Sequence, residues 1–267
     1  MTDAPQPGRG PLPADALRAA VTAPGSRWRE VVVLDRTSST NTVVAERSRA
    51  GAPEGLVVLA KEQTAGRGRL DRRWTSPPGS GVTLSVLLRP APELLAQRGG
   101  WLPLLAGLAV AAAARRCGVD AALKWPNDVL VGDRKLAGVL AEVIDGAVVV
   151  GVGLNVTTTL EELPADRPAT SLLLAGASTT DRLTVTTVLL GELADAYGQW
   201  ERRPDELAER YQAGCTTLGR PVSISLPGGT TVTGTAERID EAGRLVIDGT
   251  AYAAGDVVHL RPADTEE

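Results

Sequence analysis

The pattern of apolar residues changes once along this chain, near Cys215, and this change constrains the fold more than any other feature. Before it, strand-like runs at residues 28–34, 56–61, 82–88 and 147–156 alternate with helical stretches at 42–50, 101–117 and 183–200. After it, short alternating strands are separated by turn sequences rich in Pro, Gly and Asp. The sequence therefore predicts a large domain over residues 26–215 and a small antiparallel barrel over residues 216–267.

Composition excludes several classes of protein. The formal net charge of -4 argues against general affinity for nucleic acid, which needs a basic face. Two cysteines do not make a disulfide framework, and with a single histidine they make a zinc site improbable. A reduced, cytoplasmic protein is the expectation.

The N-terminus and the longest apolar run carry no targeting or membrane signal. Residues 1–25 are predicted to be disordered or poorly structured because their start is rich in Pro and Gly, although residues 14–21 could form one short helix. No apolar signal-peptide core precedes them. The apolar run at 101–114 is too short to span a bilayer and predicts a buried helix, so we expect no membrane association.

A cationic segment lies at residues 61–74, KEQTAGRGRLDRRW. Its arginines are Arg67, Arg69, Arg72 and Arg73, and Asp71 is the only acid among them, so residues 66–74 (the arginine loop) carry net +3. Glycines between the arginines allow tight bends and expose backbone N–H groups, while guanidinium forks bind carboxylate and phosphate oxygens. The composition fits a loop that closes over an anionic ligand; a solvated surface loop is the alternative.

Two polar clusters lie where ligands are commonly held. TSSTN at residues 37–41 precedes a helical stretch, and the free N–H groups of a helix start bind polar or anionic ligands. KWPND at residues 124–128 combines a turn sequence with Lys124. A helix cap alone and a plain turn are the alternatives, although a plain turn does not explain the adjoining Lys-Trp pair.

Two later predicted strands contain glycines in their interiors. In KLAGVLAEV (135–143), Lys135 follows a turn, and Gly138 indicates close approach of another group to the backbone. In AVVVGVGLNV (147–156), Gly151 and Gly153 leave space on one face for something flat, and Asn155 offers amide donors and an acceptor. A core strand that merely contains glycines is the alternative.

Taken together, SSTN, EQTAGRGRLDRRW, KWPND, KLAGVLAEV and GVGLN resemble the motifs of the biotin protein ligases, the BirA-type enzymes, in order and spacing. The resemblance covers about residues 30–200, and the small C-terminal barrel matches as well. It implies an α+β fold, with a mixed β-sheet and packed helices in a class II synthetase-like catalytic domain, followed by an SH3-like β-barrel. Because too few residues precede the first strand for a winged-helix repressor domain, the resemblance is to the monofunctional class, which is not expected to bind DNA.

The resemblance also implies two-step chemistry. The biotin carboxylate attacks the α-phosphate of ATP to give biotinyl-5′-AMP, and a lysine of the biotin carboxyl carrier domain of an acyl-CoA carboxylase then attacks this mixed anhydride. ATP and biotin are the implied substrates, Mg²⁺ is the implied metal, and a monomer or weak homodimer is expected. Positioning and electrostatics should supply most of the catalysis, since the first step brings two anions together.

Roles carry over to matching positions of this sequence. Lys135 and Arg69 resemble the catalytic residues. The implied biotin-binding residues are Ser39, Thr40, Asn41, Gln63, Gly66, Arg67, Gly68, Arg69, Lys135, Gly138, Gly151 and Gly153. The implied ATP- or adenylate-binding residues are Arg69, Arg72, Trp74, Lys124, Asn127 and Asn155, and Asp128 is the implied Mg²⁺ ligand. Asp71 stands where the family loop usually has Gly, which adds a charge and removes a hinge.

Two other functions stay open. A lipoate–protein ligase runs the same adenylation chemistry, but it needs a pocket for a longer, purely apolar tail, and the polar SSTN group with Gln63 suits a ureido head better. A non-catalytic regulator that binds biotin or a nucleotide would not need both an arginine loop and two lysines.

Overall fold

The protein is described by a computed structural model over residues 9–69 and 72–260. Its large sheet has the strand order β1-β2-β3-β7-β6-β5-β4, in which β1 and β2 are parallel and the other neighbours are antiparallel. The strands are β1 (Glu30–Thr37), β2 (Leu56–Gln63), β3 (Gly81–Leu88), β4 (Ala122–Lys124), β5 (Asp128–Val131), β6 (Arg134–Ile144) and β7 (Ala147–Asn155). The helices are α1 (Ala14–Val21), α2 (Thr40–Arg49), α3 (Pro92–Arg98), α4 (Leu102–Arg116), α5 (Arg182–Arg202) and α6 (Pro204–Gly214).

The two faces of the large sheet bury different amounts of apolar surface. Successive side chains of a strand point to opposite faces, so Val57 and Leu59 join the main core under α4 and α5, while Leu56 and Val58 join a small cluster under α2. The α2 face is only partly covered because residues at its centre are small or polar. This half-open face provides room for a ligand.

A five-stranded antiparallel sheet follows α6, with the order β11-β10-β9-β8-β12. Its strands are β8 (Pro221–Ser225), β9 (Thr231–Ile239), β10 (Leu245–Ile247), β11 (Thr250–Tyr252) and β12 (Asp256–His259). Two tryptophans of the large domain join the two sheets: Trp101 Nε1 donates to the carbonyl of Glu241 at 3.0 Å, and Trp125 Nε1 donates to that of Gly243 at 3.2 Å. The predicted α+β architecture with a small C-terminal barrel is confirmed.

The N-terminal region differs from the prediction of disorder over residues 1–25. Residues 14–21 form α1, whose Leu17 and Val21 are buried in the main core. The segment before α1 is held by side chains of distant parts of the chain, which a reading of local composition does not detect. Residues 1–8 lie outside the described residues.

The apolar run predicted as a buried helix forms α4. Within the described residues, the stretch Pro92–Arg116 is long and apolar enough to cross a membrane by length and composition, but 56% of its most apolar window is buried inside the protein. Leu104, Leu105 and Val110 are almost fully buried. The helix therefore serves as the central core helix of the large domain.

Candidate active site

A cavity of about 1180 Å³, measured with its open mouth, lies on the half-open face of the large sheet. The start of α2, the arginine loop, residues 158–169 and the tip of the small sheet surround it. Such a cavity is large enough for a small-molecule ligand. The predicted site residues that line it are Ser39, Thr40, Asn41, Gln63, Arg67, Gly68, Arg69, Arg72, Trp74, Asn127, Asp128, Lys135, Gly138, Gly151, Gly153 and Asn155.

Two predicted site residues lie elsewhere. Gly66 lies inside the arginine loop, where an added Cβ would overlap the carbonyl oxygen of Trp74, so its small size serves the loop's own conformation. Lys124 lines a neighbouring groove together with Arg220 and His259. Since that groove shares Asp128 and Lys135 with the main cavity, Lys124 is a neighbour of the site rather than part of its lining.

The glycines of β6 and β7 form a flat slot, as the sequence predicted. Gly138 and Gly153 face each other across the two strands, and the indole ring of Trp74 lies against both. An added Cβ at Gly153 would overlap the indole, and one at Gly138 would lie 3.2 Å from Lys135 Nζ. The buried indole Nε1 has no hydrogen-bond partner among the described residues, which leaves it able to donate to an acceptor on a ligand.

A buried polar network lies at the inner end of the cavity. Gln63 Oε1 accepts from the backbone N–H and the hydroxyl of Thr40, at 2.7 and 3.0 Å. Ser85 Oγ lies 2.7 Å from Thr40 Oγ1 and 2.5 Å from Asn41 Oδ1. Because Ser39 makes no side-chain cap bond, the start of α2 is held by Gln63 instead. The network presents amide and hydroxyl groups that suit a polar ligand head.

Glu142 joins this network to the arginine loop. Its Oε2 accepts from Asn41 Nδ2 at 2.7 Å and from an Nη of Arg67 at 2.9 Å. Asn41 is only 4% exposed, and an added Cβ at Gly151 would overlap its Oδ1. The inner end of the cavity therefore depends on one well-placed amide.

Lys135 lies at the centre of the charged part of the site. Its Nζ is 2.5 Å from Asp128 Oδ1 and 6.0 Å from the ring centre of Trp74. Its backbone is fixed on both sides, since its N–H donates to the carbonyl of Pro168 at 3.0 Å and its carbonyl accepts from Thr170 N–H at 2.9 Å. The lysine is thus held in place while its ammonium group can exchange Asp128 for an anionic ligand.

Arg69 is the most buried of the four arginines in the arginine loop. Burial lowers the pKa of its guanidinium, and the negative charges of Asp128 and Asp256 oppose that shift. The guanidinium reaches Asn127 at 3.5 Å, and Asn127 donates its amide to the carbonyl of Val139 at 2.9 Å. Since arginine stays protonated under all ordinary conditions, the cavity keeps a fixed positive charge close to Lys135.

The described parts of the arginine loop, residues 66–69 and 72–74, pair with each other in antiparallel fashion. Gly68 N–H donates to the carbonyl of Arg72 at 2.7 Å, and Trp74 N–H donates to that of Gly66 at 3.0 Å. Arg72 forms an ion pair with Asp256 of the small sheet, and hydrogen bonding to that carboxylate raises the pKa of Arg72. The predicted effect of Asp71 lies outside the described residues.

Sequence reasoning missed several residues of the site. Asp256 and Glu162 line the cavity but belong to segments without a recognised motif, and no local signal identifies them. Ser85 and Thr83 are the hydroxyl residues of the mainly apolar strand VTLSVLL, and hydroxyls in such a strand were the available signal. Glu142 lies within a quoted motif, but its partners Asn41 and Arg67 are distant in the sequence.

The predicted Mg²⁺ ligand is Asp128. Within residues 9–69 and 72–260 no group of three or more metal-binding His, Cys, Asp or Glu side chains is found. Mg²⁺ commonly binds through one or two carboxylates together with substrate phosphates and water. Asp128 beside Lys135 fits that arrangement, in which most ligands come from the nucleotide.

Comparisons with known proteins agree with this geometry. Residues 33–158 match the model of the biotin/lipoate A/B protein ligase family, and residues 217–260 match the biotin protein ligase C-terminal domain. The chain is 44% identical over 262 residues to the biotin–[acetyl-CoA-carboxylase] ligase of Mycobacterium tuberculosis, covering 95% of this chain and 97% of that protein. The chain belongs to the biotin protein ligase family.

A second relative and a solved structure also match most of this chain. The bifunctional ligase/repressor BirA of Escherichia coli is 32% identical over 91% of this chain and 77% of its own length. The solved structure of the biotin protein ligase from Aquifex aeolicus in complex with biotin and ATP superimposes with a TM-score of 0.75 and 28% identity. It covers 88% of this chain and 100% of that chain, so the similarity includes the small C-terminal sheet as well as the large one.

Proposed function

We propose that this chain is a biotin–[acetyl-CoA-carboxylase] ligase, which activates biotin with ATP and transfers it to a lysine of a carrier domain. The proposal rests on one observation: Lys135, Arg69, the glycine slot and the Asn41 network all line the same cavity. Support comes from the Mycobacterium tuberculosis relative of that name and from the Aquifex aeolicus ligase solved with biotin and ATP.

In the first step a carboxylate oxygen of biotin forms a bond to the α-phosphorus of ATP. The bond from that phosphorus to the bridging oxygen of the β-phosphate breaks, and pyrophosphate leaves. Two anions must approach each other, so fixed positive charge at the meeting point lowers the barrier. Lys135 and Arg69 supply that charge, with Lys135 releasing Asp128 to contact the carboxylate and α-phosphate oxygens.

In the second step the amine of the acceptor lysine forms an amide with the biotin acyl carbon. The bond from that carbon to the phosphate oxygen breaks, AMP leaves, and the amine loses a proton. Water would hydrolyse the mixed anhydride, so the site has to exclude it until the carrier arrives. We assign this shielding to the arginine loop and Trp74, which cover the glycine slot.

Bound Mg²⁺ would neutralise charge on the phosphates of ATP. Asp128 is the proposed protein ligand, and Lys124 in the adjoining groove would face the departing phosphates. Cytoplasmic location, the absence of nucleic-acid and membrane partners, and a monomer or weak homodimer remain predictions from the sequence.

Biotin is favoured over lipoate by the inner end of the cavity. Thr40, Asn41 and Gln63 place hydroxyl and amide groups there, which match the donors and acceptor of a ureido ring. The apolar ring of lipoate offers these groups no hydrogen bonds, so it lacks the contribution of about 0.5–1.5 kcal/mol that each hydrogen bond to a ureido ring would make. The Mycobacterium tuberculosis relative and the Aquifex aeolicus structure reported above are likewise named as biotin ligases.

The experiment that tests the function is transfer of biotin to a purified biotin carboxyl carrier domain. With ATP and Mg²⁺ the carrier should gain the mass of one biotinyl group, measured by intact-protein mass spectrometry. The matched control is the same carrier with its acceptor lysine changed to arginine, which should gain nothing. An unmodified carrier under conditions where the Mycobacterium tuberculosis relative modifies it would contradict the proposal.

Arg69→Met should shorten the lifetime of biotinyl-AMP on the enzyme. The substitution removes a charged donor beside the phosphate, worth about 1.5–3 kcal/mol, so release should be about 10- to 100-fold faster. The measurement follows free biotinyl-AMP and free biotin after a single turnover without carrier. Arg47→Met, at a surface pair with Glu30, is the control, and an Arg69→Met lifetime equal to that of the control would exclude Arg69 from retention.

A further inference from the structure

The N-terminal segment at residues 9–12, which we call the N-terminal strap, is tied to the wall of the cavity by one arginine. Arg9 Nη1 and Nη2 donate to the two carboxylate oxygens of Glu162, each at 2.7 Å. Nη2 also donates to the carbonyl of Thr157 at 2.6 Å, and Nε reaches its hydroxyl at 3.3 Å. The Arg9 side chain is only 11% exposed, so this is a bidentate, largely buried pair rather than a surface contact.

The strap has further anchors along its length. The carbonyl of Gly10 accepts a hydrogen bond from Arg182, which lies at the start of α5 and is 7% exposed. Leu12 packs against the main core. An added Cβ at Gly79 would overlap the carbonyl oxygen of Arg9, so the strap also rests on the turn that leads from the arginine loop into β3. The strap therefore contacts Glu162, the start of α5 and the turn before β3.

Two sets of hydrogen bonds hold the two ends of the segment that joins Arg9 to Lys135. Glu162 Oε2 accepts from the backbone N–H of Thr159 at 2.9 Å, which closes the turn at the start of the wall segment 158–169. Glu162 and Arg167 line the cavity. The far end of the same segment holds the backbone of Lys135 through Pro168 and Thr170. Arg9 holds the Glu162 end of the wall segment, and the backbone of Lys135 is hydrogen-bonded to its other end.

Arg9 and Glu162 both stay charged over the pH range of an ordinary enzyme assay. The hydrogen bonds from Arg9 hold the pKa of Glu162 at about 2, well below its usual value of 4.5. Both partners stay ionised in the folded protein until the pH approaches that value. The stabilisation that they provide is complete above the usual pKa of about 4.5 and declines as the pH falls from there to about 2. The Arg9–Glu162 ion pair is therefore intact at physiological pH.

We propose that the strap is part of the active-site construction and that Arg9 is a positioning residue for the wall segment 158–169 and, through it, for Lys135. The strap precedes residues 33–158, which match the family model, and none of the site motifs includes it. Arg9 acts through Glu162 and touches no substrate. The inference rests on the proposed function for its kinetic part and on the fold alone for its structural part.

The kinetic test compares Arg9→Met with Arg18→Met in full-length protein. Arg18 lies nearby on α1 and pairs with Asp15, but its side chain is half exposed and distant from the cavity lining. In ATP–pyrophosphate exchange, Arg9→Met should lose about tenfold in kcat/KM for ATP, since a loosened wall displaces Lys135. Biotin affinity should stay within about twofold, because the Asn41 network lies on other segments. Arg18→Met should match the wild type in both.

Hydrogen exchange followed by mass spectrometry tests the structural part without any activity. Arg9→Met should exchange faster at peptides covering 157–170, while β6 and β7 keep wild-type rates. Glu162→Gln removes the same pair from the other side and should give the same local pattern. It also replaces Arg9→Met if that variant does not fold. In the double variant Arg9→Met/Glu162→Gln, the exchange rates should be little higher than in either single variant, as expected when both changes remove one shared interaction.

Three results would overturn the inference. One is equal kinetics and equal exchange for Arg9→Met and Arg18→Met. Another is faster exchange throughout the protein in Arg9→Met, which would make Arg9 a general stabilising residue. The third is full additivity of Arg9→Met and Glu162→Gln. Absence of pyrophosphate exchange in the wild-type protein would count against the proposed function, while the local exchange pattern would still decide the role of the strap.

Discussion

Lys135→Met is expected to lower the rate of adenylate formation by about 10²–10³-fold, the loss typical of removing one group that stabilises developing charge in a water-excluded site. Methionine keeps the length and the apolar stem but removes the ammonium group, which lies 2.5 Å from Asp128 and next to the glycine slot. Asp128 would also be left without its partner, and its negative charge would repel the incoming carboxylate. The measurement is pyrophosphate exchange at saturating biotin and ATP.

The chain offers a close control for this substitution. Its lysines are Lys61, Lys124 and Lys135, and Lys61 lies outside the main cavity at the end of β2. Lys61→Met should exchange at the wild-type rate, and Lys135→Arg should retain more activity than Lys135→Met because it keeps the charge. If Lys135→Met turned over within a few-fold of Lys61→Met, Lys135 would have no electrostatic role in the first step.

Gly151→Ala is expected to weaken biotin binding by about 100-fold. An added methyl group would overlap Asn41 Oδ1, so the amide has to move away from Ser85 and Glu142. In its displaced position the amide no longer meets the biotin head, and two lost hydrogen bonds to the ligand at about 1.4 kcal/mol each correspond to about 100-fold in affinity. Titration calorimetry with biotin measures the change directly, and the melting temperature shows whether the fold survives.

Two variants separate loss of binding from loss of folding. Gly191→Ala lies in α5 with nothing within 4 Å of its added Cβ, so it should bind biotin normally and stabilise the helix by about 1 kcal/mol. In the double variant, Asn41→Ala makes room for the methyl group of Gly151→Ala. Asn41→Ala should therefore weaken biotin binding much less in the Gly151→Ala background than it does alone. Wild-type biotin affinity in Gly151→Ala would show that the Asn41 amide does not form the biotin site.

The sequence allowed most of the large domain to be predicted because local pattern and tertiary role agree there. The β-branched runs of β2, β3 and β7 are buried on both faces or nearly so, and their Val and Leu content follows directly from that burial. Gly151 and Gly153 were interpreted as space for a flat group and Gly138 as a site of close approach. The flat ring of Trp74 lies against Gly153 and Gly138, while Gly151 makes room for Asn41. These features depend on near neighbours in the sheet.

Features that depend on distant parts of the chain could not be predicted. The Arg9–Glu162 and Arg72–Asp256 pairs join residues more than 150 positions apart. Pro and Gly at the N-terminus favour disorder locally, but buried contacts with Arg182 and the core outweigh that preference. Lys124 was assigned to the ATP-binding set from the resemblance of KWPND to the family motif, yet its side chain lines the adjoining groove.

Biotin-dependent exchange of pyrophosphate into ATP, run with Mg²⁺ beside the same assay with lipoate, tests the central claim most directly. The account predicts exchange with biotin, background exchange with lipoate, and loss of the biotin signal in Lys135→Met. Exchange with lipoate alone would transfer the assignment to lipoate activation. Biotin binding without exchange would show that the cavity binds its ligand without the adenylation step, and the ligase assignment would be contradicted.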